Sequence, residues 1–199
     1  MWPWEHLAFG YLLYSLLWRV YRGEGPTEGA ALLLVVGTQV PDLVDKPLSW
    51  EFGVFPTGHA LGHSVLVAVP LAVLVLAVAR RYGRLDLGSA FVVGQLSHIL
   101  GDVIDPLRAG SDIAVGRALW PVVTGTPYDV DYGISRGFVY LAEFAAEVAT
   151  QDPASLLLYL TFPLLGGLLW LADGAPGPRG AYRLLAAGIR RQPPERTGD

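Results

Sequence analysis

Cysteine is absent from the 199 residues, which excludes disulfides and thiolate metal sites and leaves nitrogen and oxygen as the donors for any metal. Charge is scarce as well. Asp, Glu, Lys and Arg make up 16% of the chain against 52% hydrophobic residues, the apolar edge of what a soluble fold carries. A net charge of -4 offers no basic surface, so no nucleic-acid partner is expected. Internal repeats and nucleotide-binding glycine patterns are missing. So is the His-Glu-x-x-His motif of zinc proteases: Ala60, Leu61 and Gly62 separate His59 from His63, with no Glu to act as base.

What the chain has instead is long apolar runs. Residues 60–79 hold no Asp, Glu, Lys or Arg and only His63 among histidines, and 154–172 hold none of these. A soluble core helix rarely stays so apolar, because its outer face needs water-compatible side chains. The sequence therefore predicts an all-α, polytopic helical membrane protein. Segments 6–21, 29–45, 59–79, 87–105 and 154–172 approach the length of a bilayer span, which gives about five transmembrane helices. The N-terminal stretch lacks the positive region and cleavage site of a secretory signal and is expected to stay as the first of them, with Trp2 and Trp4 as interfacial anchors.

Residues 1–173 form the predicted helical membrane domain. Within it, 106–153 supply an external loop and an amphipathic helix over 134–148, with Phe138, Leu141, Phe144, Ala145 and Val148 on one side. Residues 174–199 read as a basic, partly disordered tail. In a five-span arrangement Arg22, Arg80, Arg81, Arg84, Arg179, Arg183, Arg190, Arg191 and Arg196 share one side. The excess of Lys and Arg in cytoplasmic loops then predicts an inner-membrane protein with its N-terminus outside and its C-terminus in the cytoplasm.

All four histidines, His6, His59, His63 and His98, stand at ends of apolar segments, as do Asp42, Asp45 and Asp102. In the five-span arrangement these ends face one side, the outer one. His59 and His63 are four apart, His98 and Asp102 four apart, and Asp42 and Asp45 three apart, spacings that on helices project from one face. Ionisable groups within a membrane are costly unless paired or metal-bound. Imidazole and carboxylate together suit zinc foremost, with manganese or iron as alternatives. Ser64 and Ser97, next to His63 and His98, are expected to hydrogen-bond the ligands. Taken singly, an interfacial His is a polar anchor and an Asp after Pro, as in Pro41-Asp42, is a helix stop. Their convergence favours a metal site.

These motifs resemble those of the membrane-bound metal-dependent hydrolases, the family that includes a LexA-regulated inner-membrane protein of enteric bacteria. The resemblance rests on His6, on Pro41-Asp42-Leu43-Val44-Asp45, on Gly58-His59-Ala60-Leu61-Gly62-His63-Ser64, on Gly94-Gln95-Leu96-Ser97-His98-Ile99-Leu100-Gly101-Asp102 and on Leu119-Trp120-Pro121. It covers about residues 1–125. The second acid of the Pro-Asp element falls one residue late, at Asp45, and the family's first histidine of the next element aligns with Gly58, so His59 stands where the family has Arg. The likeness of that family's chemistry to zinc-dependent phospholipase C implies a phosphoester of a lipid or lipid-like substrate. It further implies a divalent metal held by Asp42, His63, His98 and Asp102 that activates water and polarises the scissile oxygen. Asp45 or His59 is then expected as general base and His6 as a further ligand or proton donor. Seven candidate ligands leave room for two metals. Arg108, Arg117 and Arg136 are candidates for holding a lipid phosphate. The competing reading is a metal-binding membrane protein without turnover, a carrier or an envelope-maintenance factor.

Overall fold

The computed structural model describes residues 1–182. Among these the architecture is all-helical: α1 (Pro3–Arg22), α2 (Glu28–Trp50), α3 (Val65–Arg81), α4 (Leu85–Ile104), α5 (Arg136–Thr150) and α6 (Pro153–Ala172), with three single 3-10 turns between α4 and α5. Each boundary has a local cause. Pro3 opens α1, where its missing N–H costs nothing. Gly23 closes that helix in the left-handed conformation, its N–H donating to the Arg19 carbonyl. The Thr27 hydroxyl caps α2 by accepting from Ala30 N–H.

The bundle is centred on α2 and α4, which pack most extensively, with α1 and α3 against α4 and α6 against α1. A cluster of Tyr11, Tyr14, Trp18, Ala30, Leu34 and Ala90 fills one end. There Asp173, just past α6, accepts hydrogen bonds from Tyr11, Ser15 and Arg19 of α1 and fastens the two helices together. The start of α1, the later half of α2 and the end of α4 meet at the opposite end, where Gln39 of α2 donates to the Pro3 carbonyl.

About five transmembrane helices are not what the structure contains. Among the described residues two stretches, Leu85–Ala109 and Ser155–Ala172, are long and apolar enough to cross a membrane. Segment 59–79 loses its first turns because 53–64 stays irregular, leaving α3 with 17 residues. The other two helices are long enough, but Glu5, His6, Arg19 and Arg22 in α1, and Glu28, Asp42, Asp45 and Lys46 in α2, make them too polar. The sidedness inferred from five spans, with the site at the outer face and a cytoplasmic C-terminus, loses its basis with them. The amphipathic helix is present as α5. Its Phe144 and Val148 are half-buried while Phe138 and Leu141 are exposed, and Phe144 packs against Trp2 and Trp4, which stack on each other. The tail beyond Tyr182, with the basic Arg190-Arg191 pair, lies outside the described residues.

Candidate metal centre

Two glycines set the distance between α2 and α4. A Cβ on Gly37 would stand 2.3 Å from the Phe91 carbonyl oxygen, and one on Gly94 would stand 2.8 Å from the Leu34 carbonyl oxygen, so the helices touch backbone to backbone. Gly62 brings the 53–64 connection equally close to Pro41, where a Cβ would meet the carbonyl oxygen at 2.8 Å. Three chain segments thereby deliver four side chains to one point. Asp42 comes from α2, His63 from the connection, and His98 with Asp102 from one face of α4, four residues apart. One ligand atom from each lies within 4.8 Å of all the others, and the four residues could hold a metal ion.

The donors are aimed by their outer partners. His98 Nδ1–H donates to the Thr38 carbonyl at 2.6 Å, a bond that the glycine contact between the helices makes possible. His63 Nδ1–H donates to Asp45 at 2.8 Å. These bonds turn both Nε2 atoms inward, 3.1 Å apart. His63 Nε2 stands 3.5 Å from Asp42 Oδ1 and 3.3 Å from Asp102 Oδ2; His98 Nε2 stands 3.6 and 3.5 Å from the same oxygens. With zinc–nitrogen and zinc–oxygen bonds of about 2.0–2.1 Å, neighbouring ligands of a four-coordinate ion lie roughly 3.3–3.5 Å apart. The four histidine–carboxylate distances fit that spacing, and the two carboxylates complete the group within 4.8 Å. The donor set also fits chemically: with both imidazoles neutral and protonated at Nδ1, two nitrogen lone pairs and two carboxylate oxygens converge, and Asp42 Oδ1 is buried with no hydrogen-bond partner among the described residues.

Electrostatics point the same way. Burial opposes charge on His63, but the carboxylates of Asp102, Asp42 and Asp45 around it prevail and hold its pKa up at about 10. The carboxylates thus call for a positive charge at this point, which a proton or a cation satisfies. At His59 burial prevails over the hydrogen bond to Asp102 and holds the pKa below the ordinary histidine value.

The remaining candidate residues take other places. Asp45, read from sequence as a possible base, is fully buried and accepts from the N–H groups of Ala60, Gly62 and His63 as well as from the His63 ring. Its carboxylate shapes the turn and aims the imidazole, leaving no oxygen facing a substrate. Asp45→Asn retains one acceptor oxygen and turns an amide N–H₂ toward backbone donors. Metal affinity is expected to fall about 10–100-fold, as for other partners behind a ligand, with faster proteolysis at 53–64; equal affinity and equal proteolysis would contradict this role.

His59 does not share a helix face with His63, since neither residue is helical. Its Nε2 is 3.4 Å from Asp102 Oδ2, and its side chain is 28% exposed where those of His63 and His98 are buried. His6 stacks on His98 at 3.6 Å between ring centroids and points Nε2 at Asp102 Oδ1, 3.2 Å away. Among the described residues one four-ligand group forms; His6 and His59 adjoin it through Asp102 without forming a second. Ser64 donates to the Trp120 carbonyl and Ser97 to the Gly94 carbonyl, so neither bonds a ligand as expected. Glu5, buried and paired with Arg108, escaped the sequence reading, since its partner lies 103 residues away in the chain. Arg117 donates to the Asp102 carbonyl, and Arg136 is buried over the Tyr128 ring and donates to the Val130 carbonyl. All three arginines serve internal contacts in place of a solvated phosphate site.

No curated protein and no solved structure matches the chain. Residues 1–173 match the family model of the YdjM inner membrane protein, a span that takes in all six helices and every residue of the metal centre. The chain belongs to the YdjM inner membrane protein family.

Proposed function

We propose that this protein is a membrane-bound hydrolase that uses a divalent metal at Asp42, His63, His98 and Asp102 to cleave a phosphoester of a lipid or lipid-like substrate. The observation that carries the reading is the convergence of four ligand atoms within 4.8 Å, the two imidazoles aimed by Asp45 and the Thr38 carbonyl. A divalent ion there supplies Lewis acidity and lowers the pKa of water. The chain's own residues do the rest. His59, neutral and at the most open edge of the cluster, accepts the proton that water loses as its oxygen adds to phosphorus. The ester oxygen leaves with the bonding electron pair and takes the proton held by His59, becoming the alcohol and returning His59 to its neutral form. Asp45 and the Thr38 carbonyl keep His63 and His98 in the required tautomers. His6, stacked on His98, is a positioning residue in this scheme, in place of the proton donor read from sequence.

The donor count bears on the metal. Zinc bound tetrahedrally by four protein ligands has no open position, the mark of a structural site, whereas manganese or iron with a larger coordination number keeps one. A metal-binding role without turnover is the second reading. It draws on this closed donor set and on Thr38 and Gln95, buried among the helices near the cluster, with Gln95 Oε1 lacking a hydrogen-bond partner among the described residues.

Metal content of the purified protein, measured beside hydrolysis of a panel of phospholipids with zinc, manganese or iron supplied, separates the readings. Bound metal with turnover in His59→Ala reduced against wild type supports the hydrolase. Bound metal with no turnover supports the second reading, and no bound metal rejects both.

Proton linkage provides an independent check. Because the His63 pKa is raised, the imidazole is protonated below about pH 10, and a metal must displace that proton. Metal affinity is therefore expected to rise with pH, by up to about tenfold per unit between pH 6 and 9 for one displaced proton. Calorimetric titration in buffers of different ionisation enthalpy reads the proton directly; binding without proton release would show that His63 is not a ligand.

A further inference from the structure

Two cavities follow one another along a single stripe of α2. The first, about 570 Å³, is an apolar groove between α1, α2, α6 and the 176–181 stretch that follows α6, with Leu7, Ala8, Ala31, Val35, Gly167 and Trp170 on its walls. The second, about 610 Å³, reaches the metal centre at Asp42 and is also lined by Gln39 and Lys46. Ala31, Val35, Gln39, Asp42 and Lys46 recur every three or four residues and so share one face of α2. From Ala31 to Asp42 that face rises about 16 Å. Gln39, bonded to the Pro3 carbonyl, marks the junction between the two cavities.

The polarity of the pair is graded. The far end is walled by hydrocarbon and small residues. At the near end Lys46 is the one basic side chain among the described residues that line the second cavity. It pairs with Asp42 and lies over the Trp50 ring, and an ammonium group has three hydrogens to donate. Of the other acids that line it, Glu5 and Asp105 are both paired with Arg108, and Glu147 accepts from Tyr159 and Gln151.

We propose that the groove between α1, α2 and α6 seats one acyl chain of a phospholipid, directing its phosphate past Gln39 to Lys46 and the metal centre. This deepens the lipid-phosphoester reading and rests on it for the chemistry at the headgroup end. The continuity of the α2 stripe from hydrocarbon wall to cation and ligand carboxylate selects the occupant: an amphiphile with an anionic head. Two adjacent glycines on α6 show that the groove is kept open. A Cβ on Gly166 would collide with Ala8 at 2.8 Å, so this residue is the helix contact. A Cβ on Gly167 would meet nothing within 4 Å among the described residues, so a larger side chain there projects into the groove without disturbing the backbone.

Gly167→Phe is the plug, and Gly167→Ala the control for folding. The long-chain probe is dioleoyl phosphatidylglycerol and the short-chain probe its dihexanoyl counterpart, both in detergent micelles. The ratio of kcat/KM for long over short chain is expected to fall about tenfold in Gly167→Phe, within the range that steric changes in a pocket produce, and to hold in Gly167→Ala. In parallel, wild-type protein is irradiated with phosphatidylglycerol carrying a diazirine midway along one acyl chain, and the labelled peptides are mapped. Label concentrated on peptides containing Val35 and Trp170, and lost in Gly167→Phe, supports the groove. If it does so while no phospholipid is hydrolysed, the hydrolase reading fails and the chain site stands. Turnover with an unchanged ratio, or label spread equally over the exposed Val69, Val73 and Leu74 of α3, overturns the groove and leaves the hydrolase. Label that enters only after removal of residues 183–199 also overturns it, making that segment the occupant.

Discussion

Asp102→Asn is expected to leave the protein folded and unable to retain metal. Asp102 is the acid on which the histidines converge: Oδ2 lies within 3.5 Å of the Nε2 atoms of His59, His63 and His98, and Oδ1 lies 3.2 Å from His6. Asparagine has nearly the same shape but removes the charge and replaces one acceptor with an N–H₂ group. That group can donate to the lone pair on His63 or His98 Nε2, filling by hydrogen bonds the place a cation would take. Loss of a direct ligand is expected to weaken binding by at least about 100-fold, the upper end of what partners behind a ligand produce, and turnover should fall with it. The unfolding temperature separates this from simple misfolding. Metal stabilises wild type by mass action, so adding metal should raise its Tm; the metal-free Tm of the variant should match or exceed that of metal-free wild type, and added metal should not raise it. Stoichiometric metal in Asp102→Asn would remove the site assignment altogether.

The parts of this centre that a sequence exposes are those held by a regular helix. His98 and Asp102 are four apart on α4, and helical periodicity alone puts them on one face. His59 and His63 have the same spacing, but Pro56, Gly58 and Gly62 keep their segment irregular, so the spacing carried no geometric meaning there. What places His63 is a set of long-range contacts: the Asp45 carboxylate gathering three backbone N–H groups, and Gly62 pressed on Pro41. Neither has a periodic signature. The same limit explains Ser64 and Ser97, which neighbour ligands in the chain but point to backbone carbonyls, while Thr38, remote in sequence from His98, supplies the orienting oxygen. All-helical structure was legible from apolar runs. The number of spans was not, because α1 and α2 are long enough yet carry ionisable residues that serve the site and the ends of the bundle.

Gly37→Ala is expected to damage both stability and metal binding, although it adds one methyl group and alters no ligand. The new Cβ would stand 2.3 Å from the Phe91 carbonyl oxygen and 3.1 Å from its Cα. These are backbone atoms of the facing helix, which cannot rotate away as a side chain would, so α2 and α4 must separate. Overpacking of this kind costs about 1–3 kcal/mol, occasionally more; with rigid backbone on both sides the upper end is expected. Separation stretches the bond from His98 Nδ1 to the Thr38 carbonyl, now 2.6 Å, and draws Asp42 on α2 away from His98 and Asp102 on α4. Metal affinity should therefore fall along with the unfolding temperature. Gly167→Ala adds the same methyl group, and helix propensity, to α6 where nothing among the described residues lies within 4 Å, so its stability is expected to equal or exceed wild type. If Gly37→Ala behaves like Gly167→Ala in both Tm and metal affinity, close contact between α2 and α4 is not what builds the centre.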